Sequence, residues 1–212
     1  MLSNRKCRPL AKYPMDLMYS AGHLLNTKPL ICGGYAGDSA QLQCLFHDLH
    51  TDSWKRYASL TTSRFWHASV PFKDSLWFSG GLGNYPRELL SSTEFVYGDG
   101  SVVQGPALPT ARRNHCVVDL LDGRSMIIGG SPTFNEAIIY HHVNHSFTRG
   151  PRLLYSRMDH ACTLYRSPLH GNRNVVLVSG GLDNNDFPKP IKSTEVLDFT
   201  NNTANWEKCE YD

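Results

Sequence analysis

The stretch Ser75–Gly81, with the sequence SLWFSGG, is one of four apolar runs in this chain of 212 residues that end in a pair of glycines. The pairs are Gly33-Gly34, Gly80-Gly81, Gly129-Gly130 and Gly180-Gly181. Consecutive pairs lie about 50 residues apart, a spacing that is typical of architectures built from repeated structural units. The glycine pairs therefore divide the chain into four similar units.

A second marker recurs in step with the glycine pairs. The pattern R-x-x-H occurs at 64–67, 112–115 and 157–160, and each copy follows a leucine at a fixed offset. The leucines are Leu60, Leu108 and Leu153. In the first unit, Ser20 stands three residues before His23, where the other units have arginine. Three copies at constant offsets indicate an internal repeat.

Each unit is predicted to contain four short strands, here called a to d. Strand a starts at the histidine, strand b is the apolar run before the glycine pair, and strand c follows the pair. Strand d carries Trp54, Val102, Phe147 or Trp206. These segments are rich in Val, Ile, Tyr and Phe and are bounded by turn residues, as strands are. No segment has sustained helical periodicity, so the predicted fold class is all-β.

An apolar run, a glycine pair and a later tryptophan together resemble the Kelch repeat. Asp48–Trp54 (DLHTDSW) and Glu195–Trp206 (EVLDFTNNTANW) match its second half closely. The resemblance implies a β-propeller of four four-stranded blades, either a small ring or part of a larger propeller. The blades would span 20–63, 64–111, 112–156 and 157–212, and residues 1–19 would form a segment that could close the ring as a strand of the last blade. Val102 and Phe147 depart from the tryptophan of the pattern.

Several recurring residues are predicted to have structural roles. All eight glycines of the pairs would allow positive φ and the close approach of another backbone. Trp54 and Trp206 would pack within their own blades. Arg64, Arg112 and Arg157 are predicted to pair with recurring glutamates of strand c, since a buried arginine needs a partner. The glutamates are Glu94, Glu136 and Glu195. Alternatively, the arginines could form a positively charged opening that binds acidic peptides.

The Kelch resemblance implies that ligands contact one face, which the loops from d to a and from b to c form. Positions on these loops that break the repeat carry aromatic, arginine and amide side chains, which suit a protein-binding surface. Ordinary loop variation is the alternative explanation. The predicted partner-binding residues are Tyr35, Phe65, Trp66, Asn84, Tyr85, Arg87, Arg113, Asn114, Phe134, Met158, Asp159, Asn184, Asn185 and Phe187.

Binding is predicted in preference to catalysis, and no cofactor is expected. The chain has no G-x-S-x-G, no H-E-x-x-H and no phosphate-binding glycine loop. His67, His115 and His160 could bind a metal such as zinc, but packing at the start of strand a is the favoured explanation for their recurrence, and no metal site is predicted. The predicted function is a non-catalytic protein-interaction module, for example in substrate recognition by a ubiquitin ligase or as a scaffold. A metal-dependent oxidase or lyase on the same kind of propeller is the alternative.

Charge and apolar content restrict the partner. The net charge is +2 without a basic stripe, which argues against nucleic acid. No apolar stretch approaches the length that spans a bilayer, so a membrane partner is not expected either. Self-association is expected if the four blades form an open arc.

The compartment is predicted from the beginning of the chain and from the cysteines. Residues 1–12 lack the apolar core of a secretory signal, which predicts a cytoplasmic protein. The sequons Asn144-His145-Ser146 and Asn201-Asn202-Thr203 favour the alternative, a secreted protein. Cys32 with Cys44, and Cys7 with Cys209, are candidate disulfides, whereas Cys116 and Cys162 are predicted to be unpaired core residues.

Overall fold

Short antiparallel strands are the main regular secondary structure of the described residues, which confirms the all-β class. The computed structural model describes residues 9–84, 86–185, 187–200 and 205–209. The strands are β1 (Ala21–Leu25), β2 (Lys28–Cys32), β3 (Tyr35–Ala36), β4 (Ser39–Ala40), β5 (Gln43–Asp48), β6 (Ser53–Ser59), β7 (Ala68–Phe72), β8 (Ser75–Ser79), β9 (Thr93–Tyr97), β10 (Val102–Gly105), β11 (Cys116–Asp119), β12 (Arg124–Ile128), β13 (Ala137–His141), β14 (Ser146–Arg149), β15 (Ala161–Ser167), β16 (Arg173–Ser179), β17 (Thr194–Leu197) and β18 (Glu207–Cys209). One turn of 3₁₀ helix, Pro168–His170, lies between β15 and β16.

Four sheets of four strands follow one another along the chain. The first has the order β1-β2-β5-β6, the second β7-β8-β9-β10, the third β11-β12-β13-β14 and the fourth β15-β16-β17-β18. Neighbouring strands are antiparallel because short connections join strands that are consecutive in sequence. The small hairpin of β3 and β4 follows the first glycine pair. Each sheet is thus built from one repeat.

Apolar clusters fill the spaces between consecutive sheets. Strand b of an inner sheet contributes to two clusters, because alternate side chains of a strand point to opposite faces. Trp77 stacks on Tyr140 of the third sheet at 4.7 Å between ring centroids, whereas its neighbour Phe78 packs in the cluster with Leu30 of the first sheet. Burial on both faces explains why these runs are continuously apolar.

The first strands of consecutive sheets lie beside one another. β1 contacts β7, β7 contacts β11, and β11 contacts β15. Within the described residues, no contact of comparable extent joins β15 back to β1. Ala161, Thr163 and Ser179 are exposed on the face of the fourth sheet that points away from the third. The described sheets therefore form an ordered series with an uncovered last face.

The glycine pairs lie where one sheet meets the next. All eight glycines have positive φ, between 59° and 101°. In three pairs the amide of the second glycine donates to an arginine carbonyl of the next sheet at 2.8 to 3.0 Å. We call this contact the glycine–arginine junction, and it joins Gly34 to Arg64, Gly81 to Arg112 and Gly130 to Arg157. A Cβ on the first glycine of these pairs would lie only 2.4 to 2.8 Å from the same carbonyl oxygen, so no larger residue fits there.

The fourth glycine pair keeps the same backbone conformation, although no sheet follows it among the described residues. Gly180 and Gly181 have φ of 68° and 89°. A Cβ on Gly180 would meet nothing closer than a backbone oxygen 4.0 Å away. In the part of the chain that the structure describes, the Gly181 amide has no acceptor comparable to the arginine carbonyls.

The structure corrects the alignment of the first repeat. A Cβ on Gly34 would contact Ser20, just as one on Gly81 would contact His67. Ser20 therefore occupies the position of the histidine, and its assignment to the arginine position was wrong. His23 lies inside β1, where its Nε2 is 2.8 Å from a backbone carbonyl of the second sheet. The R-x-x-H spacing misled here because a histidine inside a strand and one at its start look alike in sequence.

Arg64 and Arg157 are completely buried and pair with the glutamates that the repeat predicts. Arg64 Nη2 donates to Glu94 Oε1 at 2.7 Å, and Arg157 Nη2 donates to Glu195 Oε1 at 2.6 Å. Each arginine also donates to the carbonyl of the first glycine in its own sheet, at 2.6 and 2.7 Å. Each of these arginines thus connects the end of strand b to the start of strand a within its own sheet.

Arg112 is buried too, but its ion pair is looser. Its Nη2 lies 3.9 Å from Glu136 Oε2, and the Glu136 side chain is 37 % exposed. Burial lowers the pKa of Arg112 to about 10, although Glu136 counteracts the shift. The predicted pairing is therefore strong in the second and fourth sheets and weak in the third.

Two disulfides link strands. Cys32 and Cys44, which the sequence offered as one of two candidate pairs, join β2 to β5. Cys116 and Cys162 join the first strands of the third and fourth sheets. Their assignment as unpaired core residues was wrong, because it considered each repeat alone and missed that β11 and β15 lie side by side. Cys209 has no disulfide partner among the described cysteines, and Cys7, its predicted partner, lies outside the described residues.

The described part of the N-terminal segment packs against the first sheet. The Ala11 carbonyl accepts a hydrogen bond from Trp54 Nε1 at 3.0 Å. Met18 and Tyr35 exchange two backbone hydrogen bonds, at 3.1 and 2.8 Å. Trp206 has a role like that of Trp54, since its Nε1 donates to the Pro151 carbonyl at 3.0 Å. Closure of the last blade by residues 1–19 stays a prediction.

Three glycine substitutions distinguish the energetic cost of a positive φ from the cost of a clash with a neighbouring backbone. Gly81→Ala should lower the free energy of unfolding more than Gly37→Ala, because a Cβ at Gly81 lies 2.7 Å from a carbonyl while Gly37 has only positive φ. Positive φ alone costs about 1–2 kcal/mol. Gly83→Ala is the control, since its nearest contact would be 3.6 Å and its φ is not positive. Urea denaturation measures all three, and equal losses at Gly81 and Gly37 would contradict the close approach of the Phe65 carbonyl to Gly81.

Glu94→Gln should destabilise the protein by about 3–5 kcal/mol, because it leaves the buried charge of Arg64 without its counterion. Asp122→Asn is the matched control: it removes the same charge from the half-exposed pair with Arg124 and should cost less than about 1 kcal/mol. Chemical denaturation of both variants gives the comparison. Similar losses would show that the Arg64–Glu94 pair is not a buried ion pair in solution.

Candidate functional site

The turns that lead into strand a line up at one end of the four sheets. Tyr19, Trp66, Asn114 and Asp159 all have positive φ, between 54° and 59°. The amide of Trp66 donates to the Tyr19 carbonyl, that of Asn114 to Trp66, and that of Asp159 to Asn114, at 3.2, 2.9 and 3.0 Å. This ladder places equivalent residues of four repeats next to one another.

Each of these turns is also paired with the loop that follows strand b of its own sheet. Phe65 and Leu82 exchange backbone hydrogen bonds at 3.1 and 2.8 Å, and Met158 and Leu182 do so at 2.9 and 2.8 Å. The loops predicted to bind a partner therefore have an ordered backbone. Such loops lose little additional backbone entropy when they bind a partner.

A pocket of about 280 Å³ opens at the ladder. It is lined by equivalent residues of all four repeats, which are Tyr19, Ser20, Trp66, His67, Asn114, His115, Asp159 and His160. Asn114 Nδ2 donates to the exposed carboxylate of Asp159. One side of the pocket is thus aromatic, and the opposite side is polar and acidic.

Four aromatic rings form a continuous group beside the pocket. Trp66 lies 4.9 Å from Tyr19 and 4.8 Å from Phe65, measured between ring centroids. Phe65 in turn lies 4.9 Å from Tyr35. Phe65 is buried with Leu82 and holds the group in place, whereas Tyr19 is 48 % exposed. The group therefore presents aromatic surface to solvent on a packed base.

Two arginines stack on this aromatic group. The guanidinium carbon of Arg113 lies 4.6 Å from the centroid of Trp66, and that of Arg87 lies 5.8 Å from the centroid of Tyr35. Arg87 Nη2 also donates to the Tyr35 hydroxyl at 3.2 Å. Cation–π contacts of this kind fix the guanidinium planes while their outer N–H groups remain accessible. We call the four rings and these two arginines the aromatic–arginine cluster.

The three recurring histidines lie below the pocket in their neutral form. Burial lowers the pKa of His67 to about 3 and that of His160 to about 4, and the nearby arginines add to both shifts. Burial likewise holds the pKa of His115 well below its usual value. His115 Nε2 is 2.9 Å from the Ser79 hydroxyl of the preceding sheet. Each ring packs between two sheets, which accounts for its recurrence.

Five other predicted partner-binding residues are not members of the cluster. Asn84 Oδ1 accepts a hydrogen bond from the Ala40 amide at 2.6 Å, so it connects two loops of neighbouring sheets. Phe134 and Asn184 line a separate surface depression of about 450 Å³. Asn185 donates to Asp183 in its own loop, Phe187 is 84 % exposed, and Tyr85 lies outside the described residues.

Two exposed residues of this face were missed in the sequence. Met18 and Tyr19 are 51 % and 48 % exposed; Tyr19 is a member of the aromatic group, and Met18 precedes it in the chain. The sequence does contain a signal for Tyr19: it directly precedes Ser20, just as Trp66 directly precedes His67 at the equivalent position of the next repeat. The wrong alignment of the first repeat to His23 concealed it.

The described residues offer no obvious centre for metal chemistry. Within them, no group of three or more His, Cys, Asp or Glu side chains is arranged to hold a metal ion. No helix in the described ranges has the length and apolar character that crossing a bilayer requires.

Comparisons with known proteins give no family for this chain. No protein-family model matches it, and no curated protein sequence matches it significantly.

The buried histidines predict that the protein loses stability in acid. Their folded-state pKa values lie below the unfolded value of about 6.5, so the unfolded state binds more protons. Stability is fully present above about pH 6.5 and falls as the pH decreases toward the folded values of about 3 to 4. The slope should reach up to about 1.4 kcal/mol per pH unit for each histidine. Urea denaturation between pH 7 and pH 4 measures it.

A histidine variant distinguishes the contribution of the histidines to this pH dependence from the contribution of the carboxylates. His160→Asn should show a shallower fall of unfolding free energy between pH 6.5 and about 4. His141, a half-exposed histidine at the far end of the third sheet, provides the control variant His141→Asn, which should keep the full slope. If the slope is the same in both variants, His160 is not held neutral by burial.

Proposed function

We propose that this chain is a Kelch-type β-propeller, or part of one, that binds a partner protein through the aromatic–arginine cluster. The sequence repeat, the serial packing of four sheets and the convergence of four repeats on one pocket all support the propeller. The described sheets leave the ring open, so the arrangement fits an arc of blades. This assignment makes the strand a turns and the strand b loops parts of one binding face.

The single observation that carries the binding proposal is the stacking of Arg87 and Arg113 on the half-buried rings of Tyr35 and Trp66. Aromatic and arginine side chains dominate the energetics of protein interfaces. Arginines held on rings are pre-organised, which reduces the entropic cost of association. Such a surface is costly to leave exposed without a role, since large apolar groups such as Met18 and Tyr19 remain in water.

The chemistry of the cluster indicates the chemistry of the partner. The accessible guanidinium groups favour carboxylates, which they bind with paired hydrogen bonds. The rings between them favour an apolar side chain. A segment with acidic residues beside an aliphatic or aromatic residue therefore fits the cluster, while Asp159 on the opposite side of the pocket disfavours a second acidic group.

The proposed role is non-catalytic and uses no cofactor. For a cytoplasmic protein the Kelch resemblance suggests substrate recognition for a ubiquitin ligase or scaffolding, and for a secreted protein it suggests extracellular recognition. Neither nucleic acid nor a membrane surface suits this face, because its positive charge is limited to two stacked arginines.

Selection from a displayed peptide library with the full chain as bait tests the proposal. The selected peptides should carry acidic residues next to an apolar residue. Arg113→Glu and Arg87→Glu should each weaken binding of a selected peptide at least tenfold without changing the melting temperature, since each reverses an attractive charge. Calorimetry measures the affinity.

Arg149→Glu is the matched control, because Arg149 is an exposed arginine on the outer strand of the third sheet. It should leave the affinity unchanged. If binding survives both cluster variants, the partner binds elsewhere on the protein. If Arg149→Glu weakens binding as much as they do, binding reflects general charge attraction and not the cluster.

A further inference from the structure

The turn between β13 and β14 has the features of a modification site. It contains the sequon Asn144-His145-Ser146, in which Asn144 is exposed and the preceding Val143 is 90 % exposed. The Ser146 hydroxyl donates to Asn144 Oδ1 at 2.8 Å. The hydroxyl and the amide that define an N-glycan acceptor are thus already in contact in the folded turn.

The rest of the turn holds this contact in place. His145 has a positive φ of 54°, and its Nδ1 is 2.8 Å from the Tyr140 hydroxyl of β13. Tyr140 is completely buried between the second and third sheets. The residue between the asparagine and the serine is therefore tied to the core, and the Asn144 side chain is directed away from it.

The disulfides supply independent evidence about the compartment. Cys32–Cys44 lies within the first sheet and Cys116–Cys162 between the third and fourth. Disulfides persist in secreted proteins and in the lumen of the secretory pathway, and they are rare in the reducing cytosol. N-glycosylation also takes place on proteins of the secretory pathway. Both features favour the secreted alternative over the cytoplasmic prediction.

We propose that Asn144 carries an N-linked glycan and that the protein matures in an oxidising compartment. In this reaction Nδ2 of Asn144 forms a bond to C1 of the first sugar of a lipid-diphosphate-linked oligosaccharide. The bond from C1 to the diphosphate oxygen breaks, the diphosphate leaves with the electron pair, and the amide nitrogen gives one proton to a base of the transferase. Each disulfide forms as two thiols pass two protons and two electrons to a dithiol–disulfide oxidase.

The position of the turn is compatible with partner binding. The connection from strand c to strand d lies at the opposite end of the antiparallel sheet from the loops after strand b, because successive strands reverse direction. A glycan at Asn144 would therefore project from the end away from the aromatic–arginine cluster. It would also shield the edge strand β14, whose outer backbone groups could otherwise pair with another sheet.

Mass spectrometry of the full-length protein from its own cells tests the assignment. Digestion with a peptide-N-glycosidase should remove one glycan mass and convert Asn144 to Asp at that position. Alkylation without reductant should leave Cys32, Cys44, Cys116 and Cys162 unlabelled. A protein with unmodified Asn144 overturns the glycan site, and labelling of those four cysteines overturns the oxidising compartment.

Substitutions expressed in the same cells separate the sequon from the second one at 201–203. Asn144→Gln and Ser146→Ala should each lose the glycan of this turn, whereas Ser146→Thr keeps the hydroxyl and should retain it. Glycan mapping of each variant is the readout, and secretion and melting temperature show whether it folds. A glycan that persists in Ser146→Ala, or is lost in a folded and secreted Ser146→Thr, contradicts the proposal.

Discussion

The hydrogen bond from a glycine amide to the arginine carbonyl of the next sheet is the contact on which the architecture depends. It forms only if the two backbones approach without side chains between them, and only if the donor residue has positive φ. Glycine satisfies both conditions at little steric cost. The arginine whose carbonyl accepts this bond also uses its own guanidinium to bind the first glycine carbonyl of its sheet. Each repeat therefore connects to the one before it and organises its own strand ends.

The binding face follows from this constraint. Since each junction fixes the arginine, it also fixes the turn that starts directly after it. The residue two positions after the arginine carries the positive φ and continues the ladder across the repeats. The architecture thus specifies the backbone of the face and leaves its side chains free to differ. Trp66, Asn114 and Asp159 hold equivalent positions with unrelated chemistry, which is the pattern expected when packing and recognition are divided between neighbouring residues.

Much of the fold could be predicted from the sequence, because local pattern and packing agree. The glycine pairs, the apolar runs and the R-x-x-H motifs recur at constant offsets, and the structure has one sheet for each repeat. The first repeat was aligned wrongly, since it lacks both arginine and histidine and His23 offered a false match. The Cys116–Cys162 disulfide was missed because it depends on two repeats lying side by side, which spacing within one repeat does not reveal.

The candidate site was predictable in part. The turn and loop positions were identified from the repeat, and Tyr35, Phe65, Trp66, Arg87 and Arg113 do come together in one cluster. Sequence offsets could not show that Asn84 is used to connect loops, or that Phe134 and Asn184 face a separate depression. Those distinctions depend on which way each side chain points out of an irregular loop, and no periodicity governs that direction.

Amide hydrogen exchange at the four equivalent glycines tests the central claim most directly. Gly34, Gly81 and Gly130 donate to the following sheet, whereas Gly181 has the same backbone conformation and no following sheet among the described residues. Nuclear magnetic resonance should find slow exchange at the first three amides and fast exchange at Gly181. Equal protection at all four glycines would mean that the series is closed, and fast exchange at all four would mean that the junctions do not exist.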